Sequence, residues 1–385
     1  MEVDDRYKNT LDIILKDIPK SFVKKGKHSE RLYDLIRDGF DFYDSTNINN
    51  MVLSVLTGKN MIIKTASSYF PKSIQHRVQE DMKKQLHYTY YLPGDRIVNV
   101  YIGLMDNNIV NYQKYHDMMR LIISWAHICT KYSYKECSKK QNIYIYPTKL
   151  EKVLPMNEVV VLGTEHVNTA VTTRCSANNE TIIYRQEEWF KVYVHEMMHS
   201  YGLDINDSYN LLINNLVKKL FNVRSSMKVA EAYVETWARI INGAYAAVMF
   251  SESKEDFEEL FLFTMEVERL FSVIQAQKVL AYMNLTYNNV IERGSRLSAN
   301  LYRENSNVFA YYILTAMLMN DQYTFLQFCS RINRKWIRFD NTLSAVKELE
   351  NYIKLAHMDP TFIKNMETNF QVKDKGLRMS LIDVN

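Results

Sequence analysis

The sequence predicts an α+β fold: a mixed sheet with an edge strand packed on helices, a helical N-terminal region and an all-helical C-terminal lobe. Three features carry the prediction. Between residues 96 and 185 several short runs are rich in β-branched and aromatic residues. From residue 186 to about residue 368 apolar residues recur at helical spacing. The first 95 residues read as short amphipathic helices, SERLYDLIRDGFDFY at 29–43 being the clearest. At 385 residues the chain is long enough for more than one lobe, and its regions divide as 1–95, 96–250 and 251–385. A cleft between lobes is where a substrate site is expected.

Taken in order, Arg96–Leu104 alternates as a half-buried strand should, and a helix follows from about Val110 to Tyr132. Four further strands are expected at NIYIYP (142–147), EVVVLG (158–163), HVNTAVTTR (166–174) and TIIYR (181–185). Helices are then expected over 186–201, 207–222 and 227–249, with a turn at Arg224–Ser226 between the last two. Gln186, Glu187 and Glu188 would sit in the first turn of the first of these, where the dipole favours them, and Gly202 would stop it.

Composition excludes some functions. A net charge of +4, from 48 basic and 44 acidic residues, is too weak to argue for a nucleic-acid partner, and the basic stretch Lys20–Arg31 reads as a solvated face. The start MEVDDRYKNT has no signal-like apolar core, and Leu121–Ile128 falls short of a membrane span. Cys129, Cys137, Cys175 and Cys329 show no CxxC pairing and read as isolated reduced thiols. These readings make a cytoplasmic protein without a membrane partner the expectation.

The residues that carry chemistry are His195-Glu196-Met197-Met198-His199. On a helix, positions i and i+4 share a face, so both imidazoles can address one ion, and Glu196 projects about 100° around from them. This is the HExxH arrangement, with two neutral imidazoles for zinc and a glutamate beside the metal's water as general base. Zinc lowers the pKa of such a water to about 7. A third protein ligand is required. An HExxHxxGxxH pattern matches at Gly202 but places Ile205 at the ligand position, leaving Asp204 beside it. In Val229–Ala238, Glu231 and Glu235 share a helix face; one carboxylate could bind the metal while the other orients a ligand histidine.

HEMMH followed by AEAYVE resembles the gluzincin group of zinc metallopeptidases, over roughly residues 96–250. The stretch RQEEWFKVYVHEMMHSYGLD is also similar to zinc peptidases of large nucleocytoplasmic DNA viruses. The resemblance implies a zincin-like fold with His195, His199 and Glu231 as zinc ligands, Glu196 as base and Glu235 behind a ligand. It also implies an edge strand within 166–174, where Asn168, Thr169 and Ala170 would pair with the backbone of a peptide or protein substrate. The gap before Glu231 is longer than in thermolysin-like members.

An oxyanion donor is expected near the metal. Tyr311 and Tyr312, on an expected helix, are the candidates, with Arg293 and Arg296 as cationic alternatives. His166 reads as a structural hydrogen-bonding residue, and Trp189 and Trp237 as core. The function expected is a zinc peptidase. The alternatives are a structural zinc in a scaffold or virion protein, for which Cys175 is the cysteine that could approach, and zinc hydrolysis of another amide or ester.

Overall fold

The computed structural model describes residues 4–19, 26–65, 67–105, 111–292, 294 and 296–384. In chain order the main elements are α1 (Lys8–Asp17), α2 (Lys27–Asn50), β1 (Met51–Thr57), α3 (Lys72–Asp81), β2 (Lys84–Leu92), β3 (Arg96–Leu104), α4 (Tyr112–Tyr132) and β4 (Lys140–Ile145). There follow α5 (Thr164–Val167), β5 (Ala170–Thr172), β6 (Asn178–Ile183), α6 (Trp189–Ser200), α7 (Asp207–Val217), α8 (Val229–Phe250) and α9 (Lys254–Tyr282). Beyond these come α10 (Tyr287–Ile291), α11 (Leu297–Leu301), a π-helical turn (Phe309–Leu314), α12 (Thr315–Met319), α13 (Gln322–Ile332), α14 (Leu343–Ala356) and α15 (Pro360–Glu367). The fold is α+β, with helices only from α6 onward among the described residues.

The six strands form one mixed sheet in the order β1-β2-β3-β4-β6-β5. β2 and β3 are an antiparallel hairpin closed by Pro93, Gly94 and Asp95, the last two at φ +76° and +58°, a left-handed pair that glycine and aspartate tolerate. β3 and β4 are parallel, so the chain must cross over between them, and α4 makes that crossing. β3 is buried along almost its whole length, as a central strand covered on both faces should be. One apolar cluster joins Phe70, Ile74, Val78 and Met82 from α3 and its flanks to Tyr101, Tyr144 and Tyr184 from the sheet region. α4 and α6 pack together, and the Tyr193 hydroxyl donates to the Ile122 carbonyl at 2.9 Å.

Contacts divide the chain into two units, each discontinuous in sequence. One comprises residues 31–151, 168–203 and 384–385 and holds the whole sheet with α3, α4, α6 and most of α2. The other comprises residues 1–30, 152–167 and 204–383 and is helical. Within the helical unit α8 packs on α9, and Glu268 of α9 accepts from the Ser380 hydroxyl and from the amides of Leu381 and Ile382, at 2.9–3.0 Å. That segment is buried, with Leu381 and Ile382 at 1 and 2% exposure.

Several expectations need correction. β1 and β2 lie where only helices were expected; β2 buries Leu86, Tyr88, Tyr90 and Leu92, the period-2 alternation of a strand. EVVVLG forms a bend instead of a strand, with Val159 and Val160 exposed and Leu162 in an isolated bridge to Glu304. With no partner strand beside it, β propensity alone does not make a sheet. The edge segment is shorter than 166–174, because 164–167 is one helical turn and only Ala170–Thr172 pairs, antiparallel to β6. Gln186, Glu187 and Glu188 precede the helix, Glu188 being left-handed at φ +55°. Val110 lies outside the described residues.

The cysteines are not all reduced thiols: Cys137 and Cys175 form a disulfide, while Cys129 and Cys329 are free and buried. The reason lies in strand register. β4 and β6 run parallel with Lys140 opposite Asn178, and the two cysteines stand three residues before those positions. Pairing extends back toward them, since the Ser138 amide donates to the Ser176 carbonyl at 2.7 Å and the Lys140 amide to Ala177 at 2.8 Å. One ground for expecting a reducing compartment is thereby withdrawn.

Candidate metal centre

α6 is buried over all twelve of its residues, which is why WFKVYV, apolar or aromatic on every side except at Lys191, suits it. Its one internal cation, Lys191, pairs with Glu188 at 3.7 Å, both out of water. His195, Glu196 and His199 are 6, 8 and 5% exposed. The two imidazoles stand one above the other with ring centroids 5.0 Å apart.

The end of α6 is fixed from several sides. Gly202, at φ +64°, donates to the His199 carbonyl at 3.0 Å and Leu203 to Met198 at 2.8 Å, the paired bonds of a Schellman stop. A side chain at Gly202 would also meet Cys137 Sγ and Cys175 Cβ at 3.1 and 3.3 Å. The Cys175 amide donates to the His199 carbonyl, and the Ser138 hydroxyl and Asn179 amide both donate to the Ser200 carbonyl at 2.8 Å. The second histidine is thus held by the sheet and its disulfide, not by α6 alone. Tyr184 at the end of β6 is nearby in charge terms. Burial pushes its phenol far up, Arg185 opposing and Glu196 adding to the rise.

In the helical unit, α8 begins after Lys228, left-handed at φ +46°, and is capped by α7: the Val229 amide donates to Asn214 Oδ1 at 2.8 Å. Glu231 lies in the first turn, partly exposed, and accepts from the Tyr311 hydroxyl at 3.1 Å. Glu235, one turn on and 1% exposed, accepts from Arg239 Nε at 3.1 Å. Arg239 also donates to the Ser272 hydroxyl and to the Tyr311 carbonyl.

Each unit thus presents donors of the kind a metal takes: His195 and His199 as adjacent imidazoles on α6 of the sheet unit, and Glu231 as a partly exposed carboxylate in the first turn of α8 of the helical unit. Within the helical unit the Asp204 carbonyl accepts from the Asn341 side chain at 3.1 Å, and Glu235 is engaged by Arg239. Two imidazoles and a carboxylate suit a divalent cation such as zinc in chemistry and number.

The remaining candidates separate. The Tyr312 hydroxyl donates to the Leu377 carbonyl at 2.6 Å, whereas Tyr311 addresses Glu231. Arg296 is exposed, and Arg293 lies outside the described residues. His166 Nδ1 accepts from the Gly163 amide at 3.1 Å, a structural bond as expected. Trp189 and Trp237 are buried in the cores of their units. Asn168 and Thr169 precede β5 and are buried, their carbonyls accepting from Arg185 Nε and the Tyr184 amide at 2.9 and 3.0 Å. Ala170 opens β5 opposite Ile183, on the end strand of the sheet. Arg239 was not singled out in the sequence, although its i+4 spacing from Glu235 was a readable sign of a pair.

The chain is 27% identical over 220 residues to an uncharacterised protein of Acanthamoeba polyphaga mimivirus. The match covers 54% of this chain and spans about half, 52%, of that relative's length. No protein-family model and no solved structure matches.

Proposed function

We propose that the protein is a zinc-dependent peptidase on a zincin-like, gluzincin-type framework. The observation that carries this reading is the buried pair of imidazoles on α6, His195 and His199 with ring centroids 5.0 Å apart, with Glu196 directly after the first histidine; Glu231 is the third ligand in this proposal. Three protein ligands leave a fourth position for water or substrate. Zinc there supplies Lewis acidity, lowering the pKa of water to about 7 and polarising a carbonyl.

The chain's own residues do the rest. The Glu196 carboxylate accepts the proton of the attacking water and returns it to the leaving amine. Glu231 contributes the negative charge of the ligand set, and the Tyr311 hydroxyl beside it is the donor placed to steady a developing oxyanion. β5, the end strand of the sheet, would align an extended peptide by backbone pairing, whereas the carbonyls of Asn168 and Thr169 before it are already taken by Arg185 and Tyr184. An ester or another amide would meet the same groups.

A purely structural zinc normally completes its ligands with Cys or His. Here Cys137 and Cys175 are bound to each other and the ligand set contains no cysteine, which favours catalysis. The mimivirus relative supports a viral setting, in host cytoplasm or virion, and virions are among the places where disulfides persist.

Metal analysis of the purified chain, followed by peptide-library digestion with and without chelator, tests the reading. One zinc per chain and chelator-sensitive cleavage are expected, and Glu231→Ala should release the metal. Zinc without any cleavage would leave the structural alternative; zinc retained in Glu231→Ala would move the third ligand to Asp204 or Glu235.

A further inference from the structure

Resting on the metal reading above, we propose that Arg239 is a positioning residue that fixes the π-helical turn 309–314 and thereby holds the Tyr311 hydroxyl against Glu231. Arg239 is 1% exposed, and its guanidinium reaches three elements. Nε donates to Glu235 on its own helix at 3.1 Å, Nη1 donates to Ser272 of α9, and Nη2 donates to the backbone carbonyl of Tyr311 at 3.3 Å. A planar fork of five donors serves three acceptors in fixed directions, which an ammonium cannot do.

The turn needs such support. A π-turn carries an extra residue, so the side chains on either side of it are rotated by about 100° relative to an uninterrupted α-helix. Which way Tyr311 faces therefore depends on the turn being kept. Two further bonds hold it. The Thr315 hydroxyl donates to the Ala310 carbonyl at 2.8 Å, and the Phe309 amide donates to Glu304 Oε2 at 2.7 Å. The other oxygen of Glu304 accepts from the Ser225 hydroxyl, in the segment leading into α8.

Tyr311 is consequently held at both ends by one helix face. Glu231, Glu235 and Arg239 recur every four residues along α8. The first takes the Tyr311 hydroxyl and the last takes its carbonyl. A tyrosine gripped in this way keeps one orientation while the carboxylate it touches binds a cation. Partners of this kind behind a metal ligand carry a large share of metal affinity.

The test places 3-fluorotyrosine at position 311 of the full chain and records its 19F resonance in the wild type, Arg239→Met, Arg239→Lys, Thr315→Val and Glu231→Gln. Zinc affinity is measured alongside by competition with a chromophoric chelator. Arg239→Met and Thr315→Val are expected to move the resonance in the direction that Glu231→Gln moves it, and Arg239→Lys, which keeps the charge but not the fork, to fall short of the wild type. Zinc should bind about tenfold or more weakly in Arg239→Met. Should Arg239→Met not fold, Arg239→Lys and Thr315→Val decide. A resonance unchanged in every folded variant of Arg239 and Thr315 overturns the proposal. A chain that binds no zinc sinks the metal centre instead, and the fluorine signal still judges Arg239.

Discussion

Glu235 and Arg239 meet one turn apart on α8 at 3.1 Å, each 1% exposed, as a fully buried ion pair. Removing one partner strands the other charge out of water, whereas removing both strands neither. Arg239→Met should therefore destabilise the chain by about 3–5 kcal/mol, and Glu235→Met/Arg239→Met should recover most of that loss. Urea unfolding of the single and double variants measures it; a double variant as unstable as the sum of the singles would show that the pair is not coupled.

Glu196 is buried on the same helix as the two histidines and is the proposed base. Glu196→Gln keeps the shape and loses the proton acceptor. Zinc content and melting temperature should stay near wild type while cleavage falls by about a hundredfold or more. Undiminished cleavage in a zinc-loaded Gln variant would require another base.

The Cys137–Cys175 bridge closes a sequence separation of 38 residues. By loop-closure entropy such a link stabilises by about 4 kcal/mol. Cys137→Ser/Cys175→Ser should melt several degrees lower than the wild type and lose the wild type's sensitivity to dithiothreitol. Thiol titration of the unfolded, unreduced chain should find only Cys129 and Cys329; four reactive thiols would mean the bridge does not form in solution.

Burial pushes the Glu304 carboxyl from its ordinary 4.5 up to about 7, against hydrogen bonds from Ser225, the Phe309 amide and Tyr302. Glu268, surrounded in the helical core, is likewise raised to about 7. A raised carboxyl pKa means that the folded state holds a proton which the unfolded state has released. Stability from this source is complete below about pH 4.5 and is lost as the pH climbs toward 7. Glu304→Gln should flatten that decline, leaving the part owed to Glu268. Denaturation midpoints at pH 5 and pH 7.5 test it, and an equal decline in variant and wild type would refute the assignment.

Much of the sheet unit was legible because its signals are local. Arg96–Leu104 forms β3 over those same residues, although buried on both faces instead of half-buried as expected. The HExxH helix and its Gly202 stop could be read for the same reason. What escaped depends on partners distant in sequence. β2 has strand alternation, yet it lies within the first 95 residues, which read as short helices, and its place in the sheet comes from pairing with β1 and β3. The disulfide follows from the register of β4 on β6, which no cysteine spacing encodes. Separating Tyr311 from Tyr312 required knowing that the backbone widens into a π-turn there. The pairing of Glu235 with Arg239 was open to reading from spacing alone, but helices carry many such pairs on their solvated faces, where they are worth little.

The bridge beside His199 also makes handling history a chemical variable. Reducing agents routinely added to protect intracellular proteins during purification would cut the covalent tie behind one proposed ligand. Many of them also compete for zinc through their own sulfur. Lysates prepared with and without such agents would then contain two molecular species, and a metal-free, inert sample would be a product of the bench.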